Sequence, residues 1–399
     1  MKKILLASSA LALTASVAAA EVTVGGDAYY GVVYIDQDDI FLNNTNGKSQ
    51  NYAFAFDLDI DFTASGESDS GIVFGASIDA DDTGKAQGVR GFDGEVFVSG
   101  AFGRLAMGDT DGAAEAIVGD LDFVSLSGLG DFNEVLYLLS AGDPDCELVL
   151  DADGDPIFVT ETITDPVTGA SITVPTGARE VEGPCEQGPL ALYTYDYEGF
   201  TGAIGLNDDE GWSIGAGYDG GAWSIGLAYE QVPSGTTITV FDATDFIPGA
   251  ELNVGAESET RHIIGQASYT FANTTIKGYY GQLDTGAPTP EFVIAPNGVP
   301  VQTTGDGTFD QYGISIESTF DAITVGAFYR EIGNDVPGLK RSFFYGVGAS
   351  YDLGGGLALV GSVGGGDVYT MPETPFLTDT FTNQDNSYWA ADFGLDFAF

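Results

Sequence analysis

Carboxylates carry most of the chemistry open to this chain. Asp57, Asp59 and Asp61 stand at alternate positions, and Asp151, Asp153 and Asp155 do the same around Gly154. Such groups are hard oxygen donors, suited to calcium or to hydrated cations. The second triplet resembles the start of a calcium loop. No bidentate Glu follows where an EF-hand needs one, so a polar hairpin tip is the other reading. His262 is the single imidazole, and Cys146 and Cys185 are the two thiols. That inventory cannot fill the usual zinc or iron–sulfur ligand sets, and no cofactor is required. His262 follows Arg261 at the start of an apolar stretch and reads as an exposed loop-edge residue; no enzymatic activity is expected. With 60 acidic against 12 basic residues and a formal charge of −48, the chain repels phosphate backbones, which excludes nucleic acid as a partner.

The elements that position these acids are read from the pattern of apolar residues. Lys2 and Lys3, an apolar run over residues 4–17 and the small residues Ala18, Ala19 and Ala20 have the layout of a secretory signal peptide, residues 1–20, with cleavage before Glu21. No later stretch offers about 20 consecutive apolar residues. Export into an oxidising compartment suits a disulfide between Cys146 and Cys185, which would tie down a long excursion of the chain. From Tyr52 the sequence alternates strictly: Tyr52, Phe54, Phe56, Leu58, Ile60 and Phe62 on one face, Asp57, Asp59 and Asp61 on the other. Period two is a β-strand with one oily and one wet face. The pattern recurs at 212–219, 311–320 and 388–399, and 57 glycines, about twice the ordinary share, fit a chain with many tight turns.

Connection lengths decide between a sandwich and a barrel. Seven short links (near 65–69, 99–103, 198–200, 219–222, 271–274, 319–321 and 352–356) alternate with eight links, mostly longer (36–51, 80–89, 109–188, 207–210, 231–259, 284–307, 332–340 and 367–386). Fifteen connections imply 16 antiparallel strands, with turns on one rim and loops on the other, as in a transmembrane β-barrel over residues 21–399. Tyr30, Tyr34, Tyr218, Tyr229, Tyr345, Tyr351 and Trp389 lie near the ends of the oily faces, where aromatic rings meet a membrane interface. The wet face then lines the lumen. It carries Asp27, Asp57, Asp59, Asp61, Asp79, Asp93, Glu95, Asp196, Glu230, Glu317, Asp392 and Asp396, with Arg104, Lys277 and Arg330 as the inward basic candidates. A carboxylate-rich aqueous lumen attracts cations and repels anions.

Three segments resemble a known family: residues 21–28 (EVTVGGDA), residues 103–111 (GRLAMGDTD), and the ending Leu395-Asp396-Phe397-Ala398-Phe399 with Phe393 before it, which resembles an outer-membrane assembly signal. Together with the signal peptide they are similar to the Gram-negative general porins, and within these to porins of Rhodobacter-type alphaproteobacteria. The resemblance spans the mature chain apart from an insert between 141 and 188. It implies an outer-membrane homotrimer of 16-stranded barrels, contacting lipid and lipopolysaccharide, whose third external loop folds inward and narrows the pore. That loop would begin at Asp109 and carry Asp109, Asp111, Glu115, Asp120, Asp122, Asp131 and Glu134. Arg104, Lys277 and Arg330 would be the opposing basic cluster, a thin one here. The expected activity is passive, cation-preferring diffusion of ions and small hydrophilic solutes. Two alternatives stay open: a substrate-specific channel, for which Tyr29, Phe97, Tyr279 and Phe328 could line the lumen, and a surface adhesin or receptor barrel.

Overall fold

The computed structural model describes residues 21–36, 52–80, 93–129, 132–139, 158–164, 171–178, 190–207, 210–233, 237–239, 253–255, 259–284, 290–294, 300–304, 308–333, 341–369 and 385–399. The signal segment, Asp131, Cys146, Cys185 and the triplet Asp151, Asp153 and Asp155 lie outside them. The first strands are β1 (Glu21–Asp36), β2 (Tyr52–Glu67), β3 (Val73–Ala80), β4 (Asp93–Gly100) and β5 (Gly103–Gly108). After a long link come β6 (Leu190–Tyr197), β7 (Phe200–Asn207), β8 (Trp212–Asp219), β9 (Trp223–Val232), β10 (Thr260–Phe271) and β11 (Thr274–Asp284). The last are β12 (Thr308–Phe320), β13 (Ile323–Gly333), β14 (Ser342–Gly354), β15 (Leu357–Tyr369) and β16 (Asp385–Ala398). These sixteen strands form one closed antiparallel barrel, each paired with its neighbour in sequence.

Closure joins β1 to β16, from Asp27↔Ala398 to Asp36↔Trp389. Gly26 N–H donates to the Phe399 carbonyl at 3.1 Å, and Phe399 N–H to that of Gly26 at 3.0 Å. A closed barrel leaves no strand edge, which is what lets strands cross hydrocarbon with every backbone group bonded.

The alternation read from the sequence is the alternation of exposure. Phe54 is 82 % exposed and Phe393 59 %, with Trp212, Ile214, Leu227, Ile263, Ile314 and Val347 also on the outer face. Large apolar side chains on the outside of a closed sheet suit lipid rather than water. The short links sit where expected. The one between β6 and β7 is Glu198-Gly199, with φ of 48° and 86°, the left-handed pair that lets a two-residue turn follow the twist of the strands. The longer links hold structure the alternation did not foretell: two-stranded ribbons pairing 158–164 with 171–178, 237–239 with 253–255 and 290–294 with 300–304. Helix α1 (Ala113–Val118) follows β5. Leu121, Leu129, Phe132, Val135 and Tyr137 of the same link are buried with Phe328, Phe344 and Val33 of the wall, while Leu136, Leu138 and Leu139 pack with Leu190, Leu283 and Ile332.

Candidate functional site

The site is the contact between residues 109–129 and 132–139 and the polar face of the barrel. Most wall side chains that bond this segment alternate with an exposed apolar neighbour. Ser213, between exposed Trp212 and Ile214, accepts the Ala113 N–H at 2.9 Å and so holds the start of α1. Ser315 accepts the Asp122 N–H at 3.1 Å and donates to the Asp122 carboxylate at 3.2 Å. Asp392 accepts the N–H groups of Leu126 and Ser127 at 3.0 and 2.9 Å. Within the segment, Asp120 accepts the Val135 N–H at 2.7 Å, and Asn133 donates to the Leu121 carbonyl at 2.8 Å, so the outgoing and returning limbs are tied together.

The basic candidates have specific partners. Lys277 Nζ donates to the Asp120 carbonyl at 2.6 Å. Arg330 Nε donates to the Phe132 carbonyl at 2.6 Å, its Nη1 donates to that of Glu134, and the guanidinium lies 4.6 Å from the Phe344 ring centre. Arg104 pairs with Glu95 and covers Phe97 at 4.8 Å. Two of the three therefore grip backbone carbonyls of the segment, and the third neutralises a wall acid. On the wall itself, Asp57, Asp59 and Asp61 of β2 share a face of the sheet with Asp27 of β1 and, on the far side of β1, Asp396 of β16, through the pairs Asp27↔Asp59 and Tyr29↔Asp396. Glu317 on β12 shares the polar face with Ser315 and Gln311.

Burial shapes the carboxylates of the segment. It raises the Asp111 carboxyl above the ordinary range, helped by the charges of Asp120 and Glu95. It raises Asp120 as well, against the Val135 N–H bond and the charges of Lys277 and Arg330. Glu115 stands in the first turn of α1.

One reading is corrected. His262 is not an exposed loop-edge residue but is fully buried, bonded through Nδ1 to Glu230 at 2.8 Å and through Nε2 to Gln311 at 3.0 Å. Its parity with buried Thr260 and Ile264, against exposed Arg261 and Ile263, carries that signal. Tyr279 and Phe328 do turn inward, yet the segment covers both, with Phe123 edge-on to Phe328 at 4.8 Å. Gly211-Trp212-Ser213-Ile214-Gly215 spells the Gly-x-Ser-x-Gly of a nucleophile elbow, a match the strand pattern hides. Here it runs along β8 instead of making a strand-to-helix turn, and its Ser binds a backbone N–H.

A closed barrel with an apolar outside, a polar inside and an ordered segment bonded to that inside defines a transmembrane channel of the β-barrel class. The Gram-negative porin family matches residues 7–390. A curated porin of Rhodobacter capsulatus is 30 % identical over 373 residues, covering 90 % of this chain and 98 % of the relative. A solved porin structure refined at 1.8 Å superposes with a TM-score of 0.59 at 26 % identity, covering 95 % of this chain and all of the other. A mutant of Rh. blastica porin, at 17 % identity and a TM-score of 0.51, shares the fold. The chain belongs to the Gram-negative porin family, and its place is the outer membrane.

Proposed function

We propose that this porin is a cation-preferring general diffusion channel, trimeric as porins usually are, in which residues 109–139 lie within the lumen and form its constriction. The observation that carries the selectivity is the fate of the positive charges. Among the described residues, Arg104, Arg261 and Arg341 pair with Glu95, Glu259 and Glu331, while Lys277 and Arg330 are committed to carbonyls of the segment. The carboxylates far outnumber them, so a solute in the lumen meets net negative potential. Small hydrophilic solutes and cations are the expected cargo, and lipid and lipopolysaccharide the surroundings of the outer face.

Zero-current potential in a planar bilayer under a KCl gradient tests this. The cation-selective sign is expected, in current steps that come in threes, and an anion-selective sign overturns the reading. The preference should weaken as salt is raised, since the Debye length shrinks to about 3 Å at 1 M. It should also fall on acidification. Asp111 and Asp120 have raised carboxyl pKa values, so they take up protons at a higher pH than a free Asp at about 3.9. The loss of cation preference therefore begins above that value; a preference constant down to it would remove these two residues from the filter.

The same proposal covers the insert. Cys146 and Cys185 are paired, with calcium at Asp151, Asp153 and Asp155 as an optional ligand. Thiol titration of the denatured, unreduced protein is expected to find no reactive thiol, and two thiols after reduction; two before reduction would refute the pairing.

A further inference from the structure

The porin has one imidazole, and the diffusion of solutes gives it no task. We propose that Glu230, His262 and Gln311 form a proton-sensitive clasp that positions residues 136–139, the returning limb of the constriction, with His262 as its sensor. This rests on the reading of 109–139 as the constriction.

Three strands supply the clasp. Glu230 and His262 are direct cross-strand partners on β9 and β10. Gln311 comes from β12, and the imidazole reaches it across β11 because residue 281 is Gly; a Cβ there would stand 2.7 Å from His262 Nε2. The backbone of the limb fixes every donor and acceptor. Gln311 Oε1 accepts the Leu136 N–H at 3.1 Å, and Gln311 Nε2 donates to the Leu136 carbonyl at 2.8 Å. The orientation of the amide is thereby set, and its Nε2 faces His262 Nε2 at 3.0 Å. An amide N–H can only donate, so His262 Nε2 must accept. The ring proton then sits on Nδ1 and is donated to Glu230 Oε2 at 2.8 Å. Glu230 in turn accepts the Leu138 N–H at 3.0 Å through Oε2 and the Leu139 N–H at 3.2 Å through Oε1.

This arrangement requires a neutral imidazole. A proton added at Nε2 would set N–H against N–H. The ion pair with Glu230 survives and strengthens, so the change falls on the other side. Gln311 must turn its oxygen to the ring, and in doing so it surrenders both bonds to Leu136. Glu230 is the charged group on the ring. The Tyr137 phenol, whose ionisation burial opposes, is the titratable group of the limb near Glu230, and the neighbouring Arg261 and Glu259 are exposed and paired with each other at 3.3 Å. Acid thus releases Leu136 while Leu138 and Leu139 stay on Glu230.

The test is residue-resolved amide exchange on the full-length, detergent-extracted protein at about pH 8 and about pH 5. After correction for intrinsic rates, protection of the Leu136 amide is expected to drop about tenfold or more in acid, as suits the loss of one or two net hydrogen bonds, with Leu138 and Leu139 unchanged. The acid effect should vanish in His262→Phe, and Gln311→Leu should show an exposed Leu136 amide at both pH values. In bilayers, open-channel noise of the wild type should rise reversibly in acid, and not in His262→Phe. Protection of Leu136 that ignores pH in the wild type overturns the clasp, as does an acid loss that persists in His262→Phe. Joint release of all three amides would assign the sensing to Glu230 and overturn the role of His262. A channel that conducts at neither pH would instead refute the diffusion reading, and the exchange result would stand apart from it.

Discussion

Replacing Asp392 with Ala is expected to release the stretch around Leu126 from the wall and to raise the conductance and current noise of the channel. The carboxylate is only 4 % exposed and is saturated with donors. Its Oδ2 takes the N–H groups of Leu126 and Ser127 and the hydroxyls of Ser125 and Ser127, at 2.9–3.0 Å, and its Oδ1 takes the Ser362 hydroxyl at 2.6 Å. Hydrogen bonds to a charged group contribute roughly 1.5–3 kcal/mol each, and a buried donor left without an acceptor costs roughly 1–3 kcal/mol. Removing the hub strands two backbone donors at once, so the local penalty is on the order of 5 kcal/mol, less whatever water recovers. Asp392→Asn keeps one acceptor oxygen and should give an intermediate effect. Limited chymotrypsin digestion checks the cause independently. New cleavage within 121–129, in protein whose barrel still migrates as folded before heating, is the expected outcome. Resistance equal to wild type with unchanged noise would mean that packing alone holds the segment.

Asp392 also shows what the sequence makes legible. The alternation ending in Phe393, Phe397 and Phe399 turns Asp392 and Asp396 inward, and the same parity turns Glu230 and Gln311 to the polar face. The barrel follows, because a period of two and the order of short and long links are local properties. The partners of those side chains are not local: Asp392 bonds residues 265–267 positions earlier, and no spacing rule reaches that far. Lys277 and Arg330 look like lumen cations for the same reason, since nothing in their neighbourhood announces the carbonyls of Asp120, Phe132 and Glu134. His262 was legible in principle, through its parity with Ile264, but the adjacent Arg261 draws attention to the rim. The acids of 109–139 likewise overshadow its leucines. Leu121, Leu126, Leu129, Leu136, Leu138 and Leu139, all buried, are the composition of a packed element rather than of a solvated loop.

Gly348→Ala should displace the segment around Val124 as strongly as any single methyl can. The outgoing limb runs along a track of inward glycines on β8, β9, β12, β14 and β16. Cβ atoms built at Gly215 and Gly226 would stand 2.8 Å from Ile117, at Gly313 2.7 Å from Leu121, at Gly346 2.7 Å from Phe123 and at Gly394 2.6 Å from Leu126. At these positions the nearest atoms of the segment are side-chain carbons that can rotate away. At Gly348 the encounter is with backbone, 1.7 Å from the Val124 carbonyl oxygen and 2.9 Å from its carbon, and no rotamer relieves it. Overpacking typically costs about 1–3 kcal/mol, and here the strain must be relieved by moving either the barrel wall or the segment. The wall is fixed by ladder bonds on both sides of β14, so Val124 moves. A shifted conductance with a changed cation preference is expected for Gly348→Ala. Gly202 supplies the control. It lies on β7 with nothing within 4 Å of a built Cβ, and Ala there should leave conductance at the wild-type value, because it adds a methyl group to open space and restricts only the unfolded chain. Equal conductance in Gly348→Ala and wild type would show that the limb has room at this point and that the glycine track does not set its path.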